Sequence, residues 1–271
     1  MFDRILVPLD GSAVAESTLP WVTRILRRSD AEVVLLRVVV PEIPEVDALT
    51  PQEKLTQDAD AYLGSLIRRV ESEGVRVRGI VRVGSAPEEI LDVSRSEKAS
   101  LIAMSTHGRS GVSRWIFGSV AEKVLRSSLL PVLVVRSFGP ERAGIRTILV
   151  PTDGSSLSMG VLPAVKGLAR LFGSRVLFLH VLEQAGSSPM RDVETAMTRA
   201  VQECADTGVQ ATTTMRIGDP AVQVLDACES SDIDLIAMST HGRSGVSRWV
   251  FGSVTEKILR AVFVPMLVVR G

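Results

Sequence analysis

Two stretches of this chain carry residue types and spacings suited to holding phosphate. Ser105-Thr-His-Gly108 is followed, after nine residues, by Gly118-Ser119, and Ser239-Thr-His-Gly242 is followed at the same distance by Gly252-Ser253. Each begins after a short apolar run and ends where an amphipathic pattern starts. A strand that delivers a glycine-punctuated loop to a helix N-terminus presents unbonded amides and the positive end of the helix dipole to an anion. The amides of Ser119 and Val120, and of Ser253 and Val254, would be the donors, with the serine hydroxyls beside them. Glycine at 108 and 242 lets main chain approach a phosphate without a Cβ, and Arg109 and Arg243 bring charge. His107 and His241 read as hydrogen-bonding residues, since no partner acid is identifiable. A blander reading exists for the serines. Ser119-Val-Ala-Glu122 and Ser253-Val-Thr-Glu256 both have the spacing of a capping box.

Other chemistry is thinner. No Gly-x-Ser-x-Gly elbow accompanies the histidines, so a serine hydrolase is not indicated. Asp10 and Asp153 close two short apolar runs, Ile5-Leu-Val-Pro-Leu and Ile148-Leu-Val-Pro-Thr. Each reads either as a turn residue or as a contact to ribose or to a phosphate-bound Mg²⁺. A helix end contributes only about 0.3–1 kcal/mol, whereas micromolar affinity needs roughly 8 kcal/mol. A bare phosphate site would be weak, and a nucleotide with a flat apolar base is the better fit.

The elements that must position these loops repeat. Leu101 to Arg126 returns as Leu235 to Arg260 with three changes, Ile116 to Val250, Ala121 to Thr255 and Val124 to Ile258. Ile5 to Ser12 returns as Ile148 to Ser155 at an offset of 143, against 134 for the loops, so the first half carries nine extra residues near Pro41 to Asp60. A period this long is a duplicated domain. Residues 1–138 and 145–271 are the expected domains, joined by the Ser137–Gly144 linker.

In the first half, strand patterns fall at Arg4–Pro8, Val33–Val40, Val75–Val83, Leu101–Met104 and Pro131–Arg136. Helical patterns cover Ala13–Arg28, Leu55–Glu73, Ser85–Glu97 and Ser119–Ser127. Continuous apolar strands alternating with helices predict an α/β fold, a doubly wound parallel sheet covered on both faces. Ligands of such sheets bind beyond the carboxyl ends of the strands where strand order reverses, which would bring the Asp10 loop to the Ser105–Gly118 loop.

The whole chain bounds the rest. It has 271 residues, 45% hydrophobic, with 31 basic and 31 acidic side chains. That balance offers no polybasic surface for nucleic acid or membrane. Cys204 and Cys228 form neither a disulfide framework nor a metal spacing. Charges at the N-terminus and the lack of an apolar run of about 18 residues predict a soluble cytoplasmic protein.

Taken together, these residues resemble the universal stress protein family in its tandem form. ATP-binding members carry Gly-x2-Gly-x9-Gly-(Ser/Thr), matched here by Ser105, Gly108, Gly118-Ser119 and by Ser239, Gly242, Gly252-Ser253, with serine in place of the first glycine. The family's Pro-x-Asp strand end corresponds to Pro8-Leu-Asp10 and Pro151-Thr-Asp153, and its adenine-contacting position to Val38 and Val181. The resemblance implies two five-stranded domains ordered 3-2-1-4-5 whose last strands pair as an internal pseudo-dimer, with homodimerisation a further option. It implies an adenine nucleotide as cofactor, ATP, ADP or AMP, with Mg²⁺ as its accompanying ion. The function that follows is a nucleotide-binding stress-response sensor or regulator rather than a fast catalyst. The alternatives are an interaction module without nucleotide, or a slow ATPase.

Overall fold

The computed structural model describes residues 2–41, 51–105, 118–136, 144–183, 190–230, 232–240 and 252–270. His107, Gly108, Arg109, His241, Gly242 and Arg243 lie outside them.

The first half runs β1 (Arg4–Leu9), α1 (Ala13–Glu16), α2 (Leu19–Leu26), β2 (Glu32–Val39), α3 (Pro51–Glu71), β3 (Arg76–Val83), α4 (Ala86–Ser96), β4 (Leu101–Ser105), α5 (Ser119–Ser127) and β5 (Val132–Val135). The second half repeats it as β6 (Thr147–Pro151), α6 (Ser156–Met159), α7 (Leu162–Phe172), β7 (Arg175–Leu182), α8 (Met190–Ala205), β8 (Ala211–Ile217), α9 (Pro220–Ser230), β9 (Leu235–Ser239), α10 (Ser253–Ala261) and β10 (Met266–Val269).

The strands are ordered β3-β2-β1-β4-β5 in the first half and β8-β7-β6-β9-β10 in the second. Pairing within each half is parallel, Ile5 lying beside Val33 on one side and Leu101 on the other, and Ile148 beside Val176 and Leu235. A central strand with neighbours on both edges and helices on both faces has no solvent-facing side. Ile5, Leu6, Val7, Ile148, Leu149 and Val150 are accordingly fully buried, which is why these runs are continuous rather than alternating. Edge strand β3 keeps its arginines and is only partly covered.

Two compact units result, one built on residues from Phe2 to Leu130, the other on Pro131–Val134 with the second half of the chain. In the latter, β5 lies antiparallel to β10, Leu133 beside Leu267. This is the pairing of last strands that the resemblance implied.

The expected helix over Ala13–Arg28 is two helices. α1 stops after Glu16 and α2 restarts at Leu19 with Pro20 in its first turn. Proline has no amide to give the carbonyl of Glu16 four residues back, so one ladder cannot run through. Pro163 imposes the same break between α6 and α7. The nine extra residues of the first half are partly helical. α3 has 21 residues against 16 in α8, and residues 42–50 lie outside the described ones.

Tight helix packing over the second-half turn rests on Gly154, which has φ +77° and where a Cβ would stand 2.9 Å from the Val193 backbone of α8. Gly173, which ends α7 at φ +67°, has open space around it. Gly173→Ala should therefore cost only the left-handed strain of about 1–2 kcal/mol. Gly154→Ala should cost clearly more, since α8 must also retreat. Chemical denaturation of both variants checks the ordering.

Candidate functional site

β6 is bonded to β7 on one edge and to β9 on the other, and a cavity opens beyond the carboxyl end of β6, where strand order reverses. This cavity, about 390 Å³, is lined by Pro151 and Asp153 after β6, Val181 on β7, Ser239 at the end of β9, and Gly252, Ser253 and Val254 at the start of α10. Seven of the ten residues expected at the second site thus share one cavity, and the other three fall outside the described residues. The first-half counterparts hold equivalent places. Pro8 and Asp10 end β1, Val38 is on β2, Ser105 ends β4, and Gly118, Ser119 and Val120 open α5.

The helix starts overturn the capping-box reading. Gly252, at φ −55° and ψ 142°, and Gly118, at φ −62° and ψ 137°, are the N-caps, and neither helix has a side-chain cap. Ser119 and Ser253 are the first helical residues, one position too late for a cap. The first ladder bonds run from Glu122 N to Gly118 O at 2.9 Å and from Glu256 N to Gly252 O at 3.0 Å. The helical geometry leaves the amides of Ser253, Val254 and Thr255 without an acceptor in the helix. Two contacts hold this helix end to the strand. Gly252 N donates to Thr240 O at 3.0 Å, and Thr255 Oγ1 donates to Ser239 O at 3.3 Å.

Both aspartates realise the turn reading through one oxygen. Asp153 Oδ1 accepts from Ser155 N at 2.9 Å and from Ser155 Oγ at 2.6 Å, while Ser155 Oγ accepts from Ser158 N at 3.1 Å and so caps α6. Asp10 and Ser12 repeat this before α1 with distances of 2.9, 2.6 and 3.1 Å. The turn fixes the carboxylate at the cavity edge, since its carbon skeleton can rotate only by breaking two bonds.

The structure adds residues that sequence reasoning missed. His180 lines the cavity, and its Nδ1 lies 2.9 Å from Thr152 O. A carbonyl has no proton to give, so Nδ1 carries the hydrogen. The available signal was a polar residue in an otherwise apolar strand, matched at the 143-residue offset by Arg37. Arg37 Nη1 donates to Leu9 O at 3.3 Å, the equivalent carbonyl. Apolar lining comes from Val181, Met238 and, on α9, Pro220 and Val224. A cavity of this size with apolar walls and a few convergent donors has the make-up of a small-ligand site.

A model of the universal stress protein family matches residues 1–136 and again residues 144–270. The chain belongs to that family. A universal stress protein of Mycolicibacterium smegmatis is 24% identical over 287 residues, covering 98% of this chain and 96% of the relative. One from Methanocaldococcus jannaschii is 30% identical over 155 residues, covering 50% of this chain and 96% of the relative. The crystal structure of a universal stress protein from Archaeoglobus fulgidus superimposes with a TM-score of 0.82 at 22% identity, covering 100% of this chain and 99% of that one. The shared fold therefore extends over both domains of this universal stress protein. Among its described residues no helix is long and apolar enough to cross a membrane, and no group of three or more metal-ligating side chains occurs.

One ion pair ties together the two helices that flank the cavity of this universal stress protein. Asp219 Oδ1 caps α9 by accepting from Ala221 N at 2.9 Å and Val222 N at 3.1 Å, and Oδ2 accepts from Lys257 Nζ on α10 at 3.3 Å. The Val222 amide, and then Lys257, hold its carboxyl below the ordinary aspartate range. A carboxylate whose folded pKa is depressed stabilises above the unfolded value of about 3.9, and that contribution is lost as pH falls through the folded value. Asp219→Asn should lower stability at neutral pH, and the gap to wild type should close on acidification below about pH 4. Denaturation midpoints from pH 7 to pH 2 measure it.

Proposed function

We propose that the second-half cavity, and the equivalent place in the first half, binds an adenine nucleotide, and that the protein acts as a nucleotide-responsive stress regulator rather than a fast catalyst. One observation carries the reading. The open amides of Ser253 and Val254 stand in the same cavity as an apolar wall of Val181, Met238, Pro220 and Val224. The amides suit phosphate oxygens, and the wall suits a purine.

The energetics are adequate. The helix end supplies about 0.3–1 kcal/mol, and charge-assisted hydrogen bonds about 1.5–3 kcal/mol each. A purine burying on the order of 100 Å² of apolar surface adds roughly 2.5 kcal/mol. Three or four such contributions reach the roughly 8 kcal/mol of micromolar binding. Mg²⁺ would enter on the phosphates, with Asp153 and Glu183 as the carboxylates lining the cavity.

A regulatory role fits how the polar groups are already engaged. Asp153 Oδ1 is held in its turn and His180 Nδ1 by a carbonyl. These two atoms are thereby taken up in holding the cavity's shape, which suits a site that retains a nucleotide more than one that hydrolyses it quickly.

Isothermal titration of the full chain with ATP and Mg²⁺ should show micromolar binding at two sites. The variant Gly252→Ala isolates the second site, because a Cβ there meets nothing closer than 3.5 Å in the protein itself. Its fold should survive with a loss of about 1 kcal/mol at the cap, while the methyl group among the phosphate donors should weaken that site at least about tenfold. Absence of heat and of thermal stabilisation at millimolar nucleotide in the wild type would overturn the proposal.

A further inference from the structure

We infer that Ser239, standing where the family pattern has its first glycine, donates its hydroxyl to a phosphate of the nucleotide in the second cavity, so that serine strengthens binding there rather than weakening it. The inference rests on the nucleotide reading above and names a residue that sets affinity and selectivity within it.

Ser239 is the last residue of β9 and a lining residue of the cavity. Its backbone is held on both sides, by pairing with Val269 of β10 and by accepting from Thr255 Oγ1 at 3.3 Å. The residue is only 5% exposed, and its Oγ is buried without a hydrogen-bond partner among the described residues. A buried hydroxyl in that state is costly and uncommon, and calls for an explanation.

The surrounding hydroxyls make the exception sharper. Thr152 Oγ1 pairs with Ser158 Oγ at 2.8 Å and accepts from Gly154 N at 3.0 Å, and Ser155 Oγ donates to Asp153. Each of these is used by the fold itself, and Ser239 Oγ is not. The Thr255 contact also places Ser239 directly beside the first turn of α10, where amides lack acceptors. A phosphate held by those amides brings oxygens that only accept, which is what an unpaired O–H lacks. Glycine in this position would permit close approach and nothing more. Serine adds a directed donor, aimed at anionic rather than neutral ligand oxygens.

The test uses the full chain carrying Gly118→Val, which removes the first site, and compares Ser239 with Ser239→Ala and Ser239→Gly by titration with ATP and with adenosine. Loss of one charge-assisted hydrogen bond should weaken ATP binding about tenfold or more in both variants, with adenosine affinity unchanged. Melting without nucleotide should show Ser239→Ala as stable as its parent or more so, because an unsatisfied buried hydroxyl has been removed. Ser239→Ala in the otherwise wild-type chain gives a second measurement, in which one of two sites should weaken. Equal or tighter ATP binding by the alanine or glycine variants would overturn the inference while leaving the nucleotide reading intact. No ATP heat from the unmutated chain would remove that reading and this inference with it.

Discussion

Everything at the candidate site follows from a central strand that is hydrogen-bonded on both edges. β6 pairs with β7 over five residues and with β9 at Ile148 and Leu149 only. Strand order reverses at β6, and among the described residues a cavity stands beyond its carboxyl end. The same constraint dictates composition. A strand with both edges and both faces occupied favours apolar residues, and the polar groups proposed for the site come in the first residues after the strand, where Asp153 and Ser155 stand. Chemistry and core are separated by a single residue, Thr152, whose hydroxyl is itself satisfied within the turn.

The fold was legible because its signals are long and mutually consistent. Apolar runs and a duplicated pattern both point to the same doubly wound sheet. The break after Glu16 was hidden by an apolar face that continues across it, since Leu19, Val22, Ile25 and Leu26 keep helical spacing whether or not the ladder is intact. Pro20 was the signal, and its rule concerns the residue four positions back rather than its own. At the site, spacing found the strand ends and the Gly-Ser helix starts. It could not separate a serine that caps from one that begins the helix, because a shift of one residue leaves the Ser-x-x-Glu pattern intact. His180 escaped because its role depends on a carbonyl 28 residues away.

The two halves have kept different things. At the amino ends of the first-half strands, Arg4 and Arg78 are ion-paired with Glu32 and Glu97. The equivalent strand positions in the second half are Thr147, Thr212 and Arg175, with Arg175 Nε donating to Thr147 Oγ1 at 2.8 Å, while Asp234 Oδ2 accepts from the amides of Arg146 and Thr147. Both solutions close the same end of a sheet, so physics permits either. The carboxyl ends, by contrast, repeat the Ser-Thr-His-Gly loop and the Gly-Ser helix start residue for residue. Stability alone gives no reason for one end to drift while the other stays fixed, since loops normally vary more than the elements they connect. The nucleotide reading proposed above would supply one.

Identical loop sequences do not have identical surroundings, because Arg37 stands where the second half has His180. Arg37 in the first half and His180 in the second reach the equivalent carbonyl, one with a guanidinium that is always charged and the other with an imidazole ring. Around Arg37 the first half adds a further network, with Tyr62 Oη donating to Glu16 at 3.1 Å and Arg69 bonded to the other oxygen of that carboxylate at 2.7 Å. Burial, followed by the negative charge of Glu16, pushes the Tyr62 phenol well above its ordinary value, so it remains a donor at any pH the protein meets. The second half has Met159 and Ala196 at the positions of Glu16 and Tyr62, and no comparable network can form from them. On the reading proposed above, a polyphosphate placed on the common backbone donors would meet a guanidinium on one side and an imidazole on the other. With the main-chain contacts held equal, that difference in side chain is what would set the two affinities apart.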